Sequence, residues 1–187
     1  MRTISQPVIP AVRHLKDFEE LLQSNHEYLI LLDAHLARVK SIVRQAEQFG
    51  KKMILHVDLI EGLKADEHAV EFLAQEVKPA GIISTRSQVV QAAKKKKLIA
   101  IQRIFMLDMI ALEMSLQQLE KTNPDYAEVL PGSVPSHILK HVVSKAGVPI
   151  WAGGLLQEAS EVRNALDAGV SAVTTSAKTL WRLGNAV

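Results

Sequence analysis

Apolar residues along this chain fall into short runs, separated by stretches in which they recur every three or four positions. The runs are Pro7–Val12, Tyr28–Leu32, Met53–Asp58, Gly81–Thr85, Leu98–Ile104, Tyr126–Leu130, Pro149–Ala152 and Ala172–Thr175. They are apolar on both faces, as parallel strands covered by helices should be. The intervening stretches predict helices over Asp17–Ser24, His35–Phe49, Glu67–Val77, Gln88–Lys96, Asp108–Glu120, Pro135–Lys145, Gln157–Ala168 and Ala177–Leu183. In the second of these, Leu36, Val39, Val43 and Ala46 keep helical spacing, and Gly50 supplies the stop. Asp66 is placed to cap the third.

Strand and helix alternate eight times without a linker. The expected fold is therefore α/β, a compact single-domain (β/α)8 barrel of the TIM type over residues 1–187. Eight units in 187 residues leave about 23 residues each, so loops are minimal and one helix is expected to be reduced. The alternative is an open doubly wound sheet, but no Gly-x-Gly-x-x-Gly follows the first strand to favour it.

Composition narrows the function classes. Hydrophobic residues make up 48% and charged residues 22%, which fits a packed core and not a disordered chain. Without cysteine there is no disulfide framework and no thiolate chemistry, which suits the cytoplasm. No apolar stretch approaches the ~18 residues of a membrane span, and the opening residues lack a secretory pattern. A net charge of +2 is too small to imply nucleic acid, so any case for RNA depends on where the charges sit.

In a barrel of this type the chemistry gathers at the C-terminal ends of the strands. Those ends carry Arg13, Asp33, Asp58 with Glu61, Thr85 with Arg86, Arg103, Glu128, Gly153 with Gly154, and Thr174–Ser176. Side chains alternate along a strand, so Leu29, Leu31 and Asp33 share a face, as do Ile54, His56 and Asp58. Ile99, Ile101 and Arg103 share another, and Tyr126, Glu128 and Leu130 a fourth. If those faces point inward, Asp33, Asp58, Arg103 and Glu128 converge on the mouth. The plainer readings are a core histidine at His56 and capping or ion-pairing carboxylates at Asp58 and Glu128.

The strongest signal is at the end of the chain. Gly153-Gly154 follows the seventh strand and Thr174-Thr175-Ser176 the eighth. Barrels of this kind often hold phosphate between those two loops and a helix start. Glycine lets backbone amides approach the anion, helix-start amides favour it, and Thr175 and Ser176 add donors. A metal is weakly supported: Asp33, Asp58, Glu61 and Glu128 are hard oxygen ligands, but no histidine pair suggests zinc, and His137 and His141 belong to a polar helix face. Schiff-base chemistry lacks a strand-end lysine, since Lys64 is in a loop and Lys178 in the last helix. No cofactor is expected.

Lysines cluster at the opposite end of the barrel. Lys51, Lys52, Lys78, Lys94, Lys95, Lys96, Lys97, Lys121 and Lys145 lie at or near helix-to-strand connections. Lysines favour helix C-termini for electrostatic reasons alone. The alternative is a basic footprint for a polyanion, centred on Lys94–Lys97.

Several longer motifs stand out: His56-Val57-Asp58-Leu59-Ile60-Glu61-Gly62-Leu63, Gln102-Arg103-Ile104-Phe105, Glu128-Val129-Leu130-Pro131-Gly132 and Ala152-Gly153-Gly154-Leu155, with Thr175-Ser176 and Leu180-Trp181. In this order, and over nearly the whole chain, they resemble the glycerol-3-phosphate-responsive antiterminator family, bacterial regulators of glycerol uptake operons. The resemblance implies a barrel that senses glycerol 3-phosphate and acts on leader mRNA to prevent premature termination. Two other readings stand beside it. One is a barrel enzyme on a small phosphorylated substrate, a phosphodiesterase or isomerase, with Asp58 or Glu128 as acid or base. The other is a sensor whose output is a protein partner. For the RNA, a surface formed only in a homo-oligomer competes with the lysine face.

Overall fold

The computed structural model describes residues 4–185. Eight parallel strands form the closed barrel: β1 (Val8–Val12), β2 (Tyr28–Leu31), β3 (Lys52–His56), β4 (Gly81–Ser84), β5 (Ile99–Phe105), β6 (Tyr126–Leu130), β7 (Ile150–Gly153) and β8 (Ala172–Thr175). They follow chain order around the ring, and β1 pairs with both β2 and β8, which rules out the open sheet. The outer layer is α1 (Leu15–Leu22), α2 (Leu36–Gln48), α3 (Glu67–Phe72), α4 (Ser87–Lys95), α5 (Met109–Thr122), α6 (Ser136–Lys145), α7 (Ala159–Asp167) and α8 (Lys178–Trp181). The reduced helix is α8, with four residues.

One helix and one connection depart from the expected pattern. Asp66 caps α3 as expected, accepting from the Ala69 amide at 3.0 Å. The α-helix nevertheless stops at Phe72, and a π-turn covers Leu73–Val77. Lys78 ends it in the left-handed region, a stop that no glycine announces. Between β3 and α3 the chain makes a tight 3-10 turn, Val57–Leu59, and then a short parallel pairing of Ile60–Glu61 with Ala34–His35.

Which face of each strand points inward decides the site. The barrel interior holds Ile9 and Ala11, Tyr28, Ile30 and Leu32, Ile54, Ile83, Ile99 and Ile101, Tyr126, Trp151 and Ala172. Their alternates, among them Leu29, Leu31, Leu55, Ile82, Val129 and Val173, pack under the helices. Strand β2 thus has the opposite parity to the one expected: Leu29 and Leu31 face the helices, and Asp33 follows them out to an exposed position. With apolar residues on both faces, hydrophobicity gives no signal to choose the parity. Trp151 and Tyr126 fill the interior, with ring centroids 4.8 Å apart.

Candidate ligand-binding site

The polar residues at the mouth organise around one missing side chain. Glu128 on β6 and Thr174 on β8 are separated by β7, where Gly153 pairs with Thr174. A Cβ at Gly153 would collide with Thr174 Oγ1 and come within 3.0 Å of Glu128 Oε1. Because glycine stands there, Thr174 Oγ1 donates to Glu128 Oε1 at 2.6 Å, straight across the intervening strand. On the other side, Arg103 of β5 donates from Nε to Glu128 Oε2 at 2.6 Å. The side chains of Arg103 and Glu128 are 11% and 1% exposed, so this is a buried ion pair with both carboxylate oxygens hydrogen-bonded.

The neighbouring loops are fixed by a second glycine contact. The Gly132 amide donates to the carbonyls of Gly153 and Gly154, and a Cβ on Gly132 would lie 2.9 Å from the Gly153 nitrogen. The Glu128–Gly132 and Ala152–Leu155 motifs therefore pack as one unit. Gly154 and Leu155 both have positive φ, +74° and +58°. For leucine this is an uncommon backbone, and its side chain is 70% exposed on the rim.

Above this network lies a cavity of about 390 Å³, within the usual range for a small-molecule site. Its walls are Ala11 from β1 and Arg13 just after it, Leu32, Arg103 from β5, Glu128 and Leu130 from β6, Gly154–Gln157, and Thr174–Ala177. The sequence-expected Arg103, Glu128, Gly154, Thr175 and Ser176 are thus brought together, with Gly153 directly beneath them. Thr174 belongs to the network and was not among the expected ligands. Thr175, which was, spends its hydroxyl accepting from the Ala177 amide at 3.0 Å, while its carbonyl accepts from Trp181 Nε1 at 2.9 Å.

Three expected acids lie elsewhere. Asp33 and Glu61 are exposed, and neither they nor Asp58 line the cavity. Strand β3 ends at His56, and the 3-10 turn takes Asp58 out of the strand alternation. Its carboxylate accepts from Ser84 Oγ at 2.8 Å and from Thr85 N and Oγ1 at 2.7 and 3.1 Å, which fixes the β4 loop. Among the described residues, no three acidic or histidine side chains gather where a metal ion would fit. The two amides just before α7 are engaged: those of Gln157 and Glu158 donate to Glu161 at 2.7 and 3.0 Å, as part of a capping box.

His56 is the buried histidine of the plainer reading, 3% exposed. Burial pushes its imidazole down to about 4, the Arg103 charge acts in the same direction, and Glu128 and Asp58 oppose them. An unfolded histidine titrates near 6.5, so between about pH 6.5 and 4 unfolding takes up a proton that the folded ring refuses. This contribution to stability is complete above pH 6.5 and is lost as the pH falls, by about 3 kcal/mol at most. Relative to wild type, His56→Asn is expected to show a flatter urea midpoint across that window. Parallel curves would mean that His56 titrates normally.

The model of the glycerol-3-phosphate responsive antiterminator family matches residues 8–181. The chain belongs to this family. The glycerol uptake operon antiterminator regulatory protein of Listeria monocytogenes is similar, 40% identical, with 97% of this chain and 98% of that one covered and a TM-score of 0.92. A glycerol uptake operon antiterminator-related protein of Thermotoga maritima is 28% identical, over 96% of this chain and 99% of that one, with a TM-score of 0.84. The uncharacterized protein YgcP of Escherichia coli strain K12 is 33% identical over 177 residues, 95% of this chain and 92% of that one. This is a family of regulators on a scaffold that many enzymes also use.

In this antiterminator-family barrel the lysine-rich end is only partly free. Lys94 donates to the Asn123 carbonyl and lies 4.0 Å from Asp125, and Lys96 pairs with Glu71 at 2.6 Å. Lys51 and Lys52 are held by the Ser24 carbonyl and Glu27. Lys95 and Lys97 are exposed and have no partner among the described residues. The two remaining histidine and lysine expectations hold: His141 meets Glu113 at 3.2 Å on a helix face, and Lys178 pairs with Asp17 and Glu20. No helix among the described residues is long and apolar enough to cross a membrane.

Proposed function

We propose that this antiterminator-family protein senses glycerol 3-phosphate in the mouth cavity and that occupancy governs its contact with leader mRNA, preventing premature termination. The observation that supports the reading is the cavity itself, built from the family's own motifs. It has two arginines and one acid in its walls, so its net charge suits an anion. Glu128 offers its carboxylate to hydroxyls from a position fixed by Arg103 and Thr174. The enzyme alternative is less well served, because Glu128 is the single acid among the residues lining the cavity and Asp58 lies outside it.

Calorimetric titration with glycerol 3-phosphate, glycerol and inorganic phosphate, with and without leader RNA, tests the proposal. Glycerol 3-phosphate is expected to bind more tightly than either fragment, and RNA to change its affinity by the factor by which it changes RNA affinity. Turnover of glycerol phosphates by the purified protein would favour the enzyme instead.

For the RNA face we propose the lysine end, with a surface formed only in a homo-oligomer as the competing reading. Replacing Lys94–Lys97 with glutamine is expected to weaken RNA binding at low salt. Each lost phosphate contact should flatten the log–log salt dependence by roughly 0.7–0.9. Affinity for glycerol 3-phosphate without RNA should not change. A small loss of stability with RNA binding intact would mean that these lysines serve only α4 and their neighbours Asn123 and Glu71.

A further inference from the structure

The two arginines of the cavity are not equivalent. Strands β1 and β5 lie four places apart in the eight-stranded ring, so Arg13 and Arg103 stand on opposite walls. Arg103 is paired through Nε with Glu128, and its charge is matched by that buried carboxylate, which leaves only its terminal nitrogens without a partner among the described residues. Arg13 is exposed and has no hydrogen-bond or ion-pair partner among the described residues. Residues Val8–Pro10 of β1 run in register with Val173–Thr175, which places Arg13 just beyond the loop that carries Ser176. The Ser176 hydroxyl is likewise without a partner among the described residues.

Charge then orients the ligand. Glu128 is the single acid among the residues lining the cavity, and it sits on the Arg103 side. A phosphate dianion placed there would meet a buried carboxylate whose own cation is already paired. The wall of Arg13 and Ser176 has no acid, and next to it the chain turns at Gly154 without a Cβ. The amides of Gln157 and Glu158, just before α7, offer no substitute, because Glu161 occupies them.

We infer that Arg13, with Ser176, holds the phosphate of a short polyol phosphate monoester, and that the polyol hydroxyls point across the cavity to Glu128. This rests on the reading of the cavity as the glycerol 3-phosphate site. Arg13 supplies the free planar fork that a phosphate takes in two parallel hydrogen bonds. Arg103 is a positioning residue, whose partner is Glu128 and not the anion. The same layout disfavours a ligand with a carboxylate in place of the far hydroxyls, since that group would lie against Glu128.

The test is calorimetry on wild type, Arg13→Gln and Arg13→Lys with three probes: glycerol 3-phosphate, inorganic phosphate and 3-phosphoglycerate. Arg13 is exposed, so an unchanged melting temperature is the check on folding. Arg13→Gln should weaken glycerol 3-phosphate and inorganic phosphate by a similar factor, about 10- to 100-fold, with Arg13→Lys in between. Wild type should bind 3-phosphoglycerate more weakly than glycerol 3-phosphate. If Arg13→Gln binds both phosphate probes like wild type, the inference is overturned and the sensing function stands. Loss of glycerol 3-phosphate alone would put Arg13 at the polyol and overturn the orientation. If wild type does not bind glycerol 3-phosphate at all, the function reading fails, and this inference with it.

Discussion

Gly153→Val is expected to abolish glycerol 3-phosphate binding and to destabilise the barrel. An added Cβ lands on the Thr174 hydroxyl and presses on Glu128 Oε1, so the side chain forces apart the bond that holds the floor of the cavity. Overpacking of this kind costs about 1–3 kcal/mol, or roughly 2–4 °C in melting temperature per kcal/mol for a chain of this size. From the sequence, a glycine before a phosphate loop predicts lost binding with the fold kept; the contacts with Thr174 and Glu128 add a loss of stability. Gly153→Ala should show a milder form of both effects. Combining it with Thr174→Ala should recover stability by freeing the space, but not the hydrogen bond, so the two substitutions should be strongly non-additive. Additive melting shifts would mean that the strand moves aside and the contact is not restrictive.

Arg103→Met should cost about 3–5 kcal/mol. The substitution keeps the buried stem but leaves Glu128, 1% exposed, with an unpaired charge. Glu128→Gln in the same chain should restore much of the loss by removing that charge. The double variant should therefore unfold in urea at a higher midpoint than Arg103→Met alone. A double variant less stable than the single would show that Arg103 acts through packing and not through Glu128. Because the pair also sets the direction of the Glu128 carboxylate, neither variant is expected to distinguish glycerol 3-phosphate from inorganic phosphate as wild type does.

Much of the fold is legible in the sequence because each strand and each helix has its own period, and their eightfold alternation leaves few architectures. Residues on β5 and β6 are legible as well. Ile99-x-Ile101-x-Arg103 and Tyr126-x-Glu128 place a polar residue at the end of an apolar alternation, and both faces do point inward. On β2 the alternation gives no such guide, since Leu29, Ile30, Leu31 and Leu32 are all apolar, and Asp33 is assigned to the wrong side. On β8 the repeat Thr174-Thr175 hides which hydroxyl enters the barrel; the interior placement of Ala172 and the Thr174–Glu128 bond settle it. Asp58 is lost for another reason: a 3-10 turn resets the phase as soon as β3 ends in His56. Arg13 is visible as a strand end, but its significance depends on the partners it lacks, and absent contacts leave no mark in a sequence.

The Glu128–Thr174 bond joins strands that are not neighbours. Sheet hydrogen bonds link β5 to β6, β6 to β7 and β7 to β8 in series, so a shift at one end reaches the other only through every intervening backbone. The side-chain path from Thr174 through Glu128 to Arg103 is a shortcut over the bare strand at Gly153, two hydrogen bonds long. It works as a tie-rod across one wall of the barrel. A ligand that pulls on the loop after β8 therefore acts at once on the strand that leads into α5, on the far side of the mouth. A signal can leave the cavity along this wall without the sheet itself having to deform.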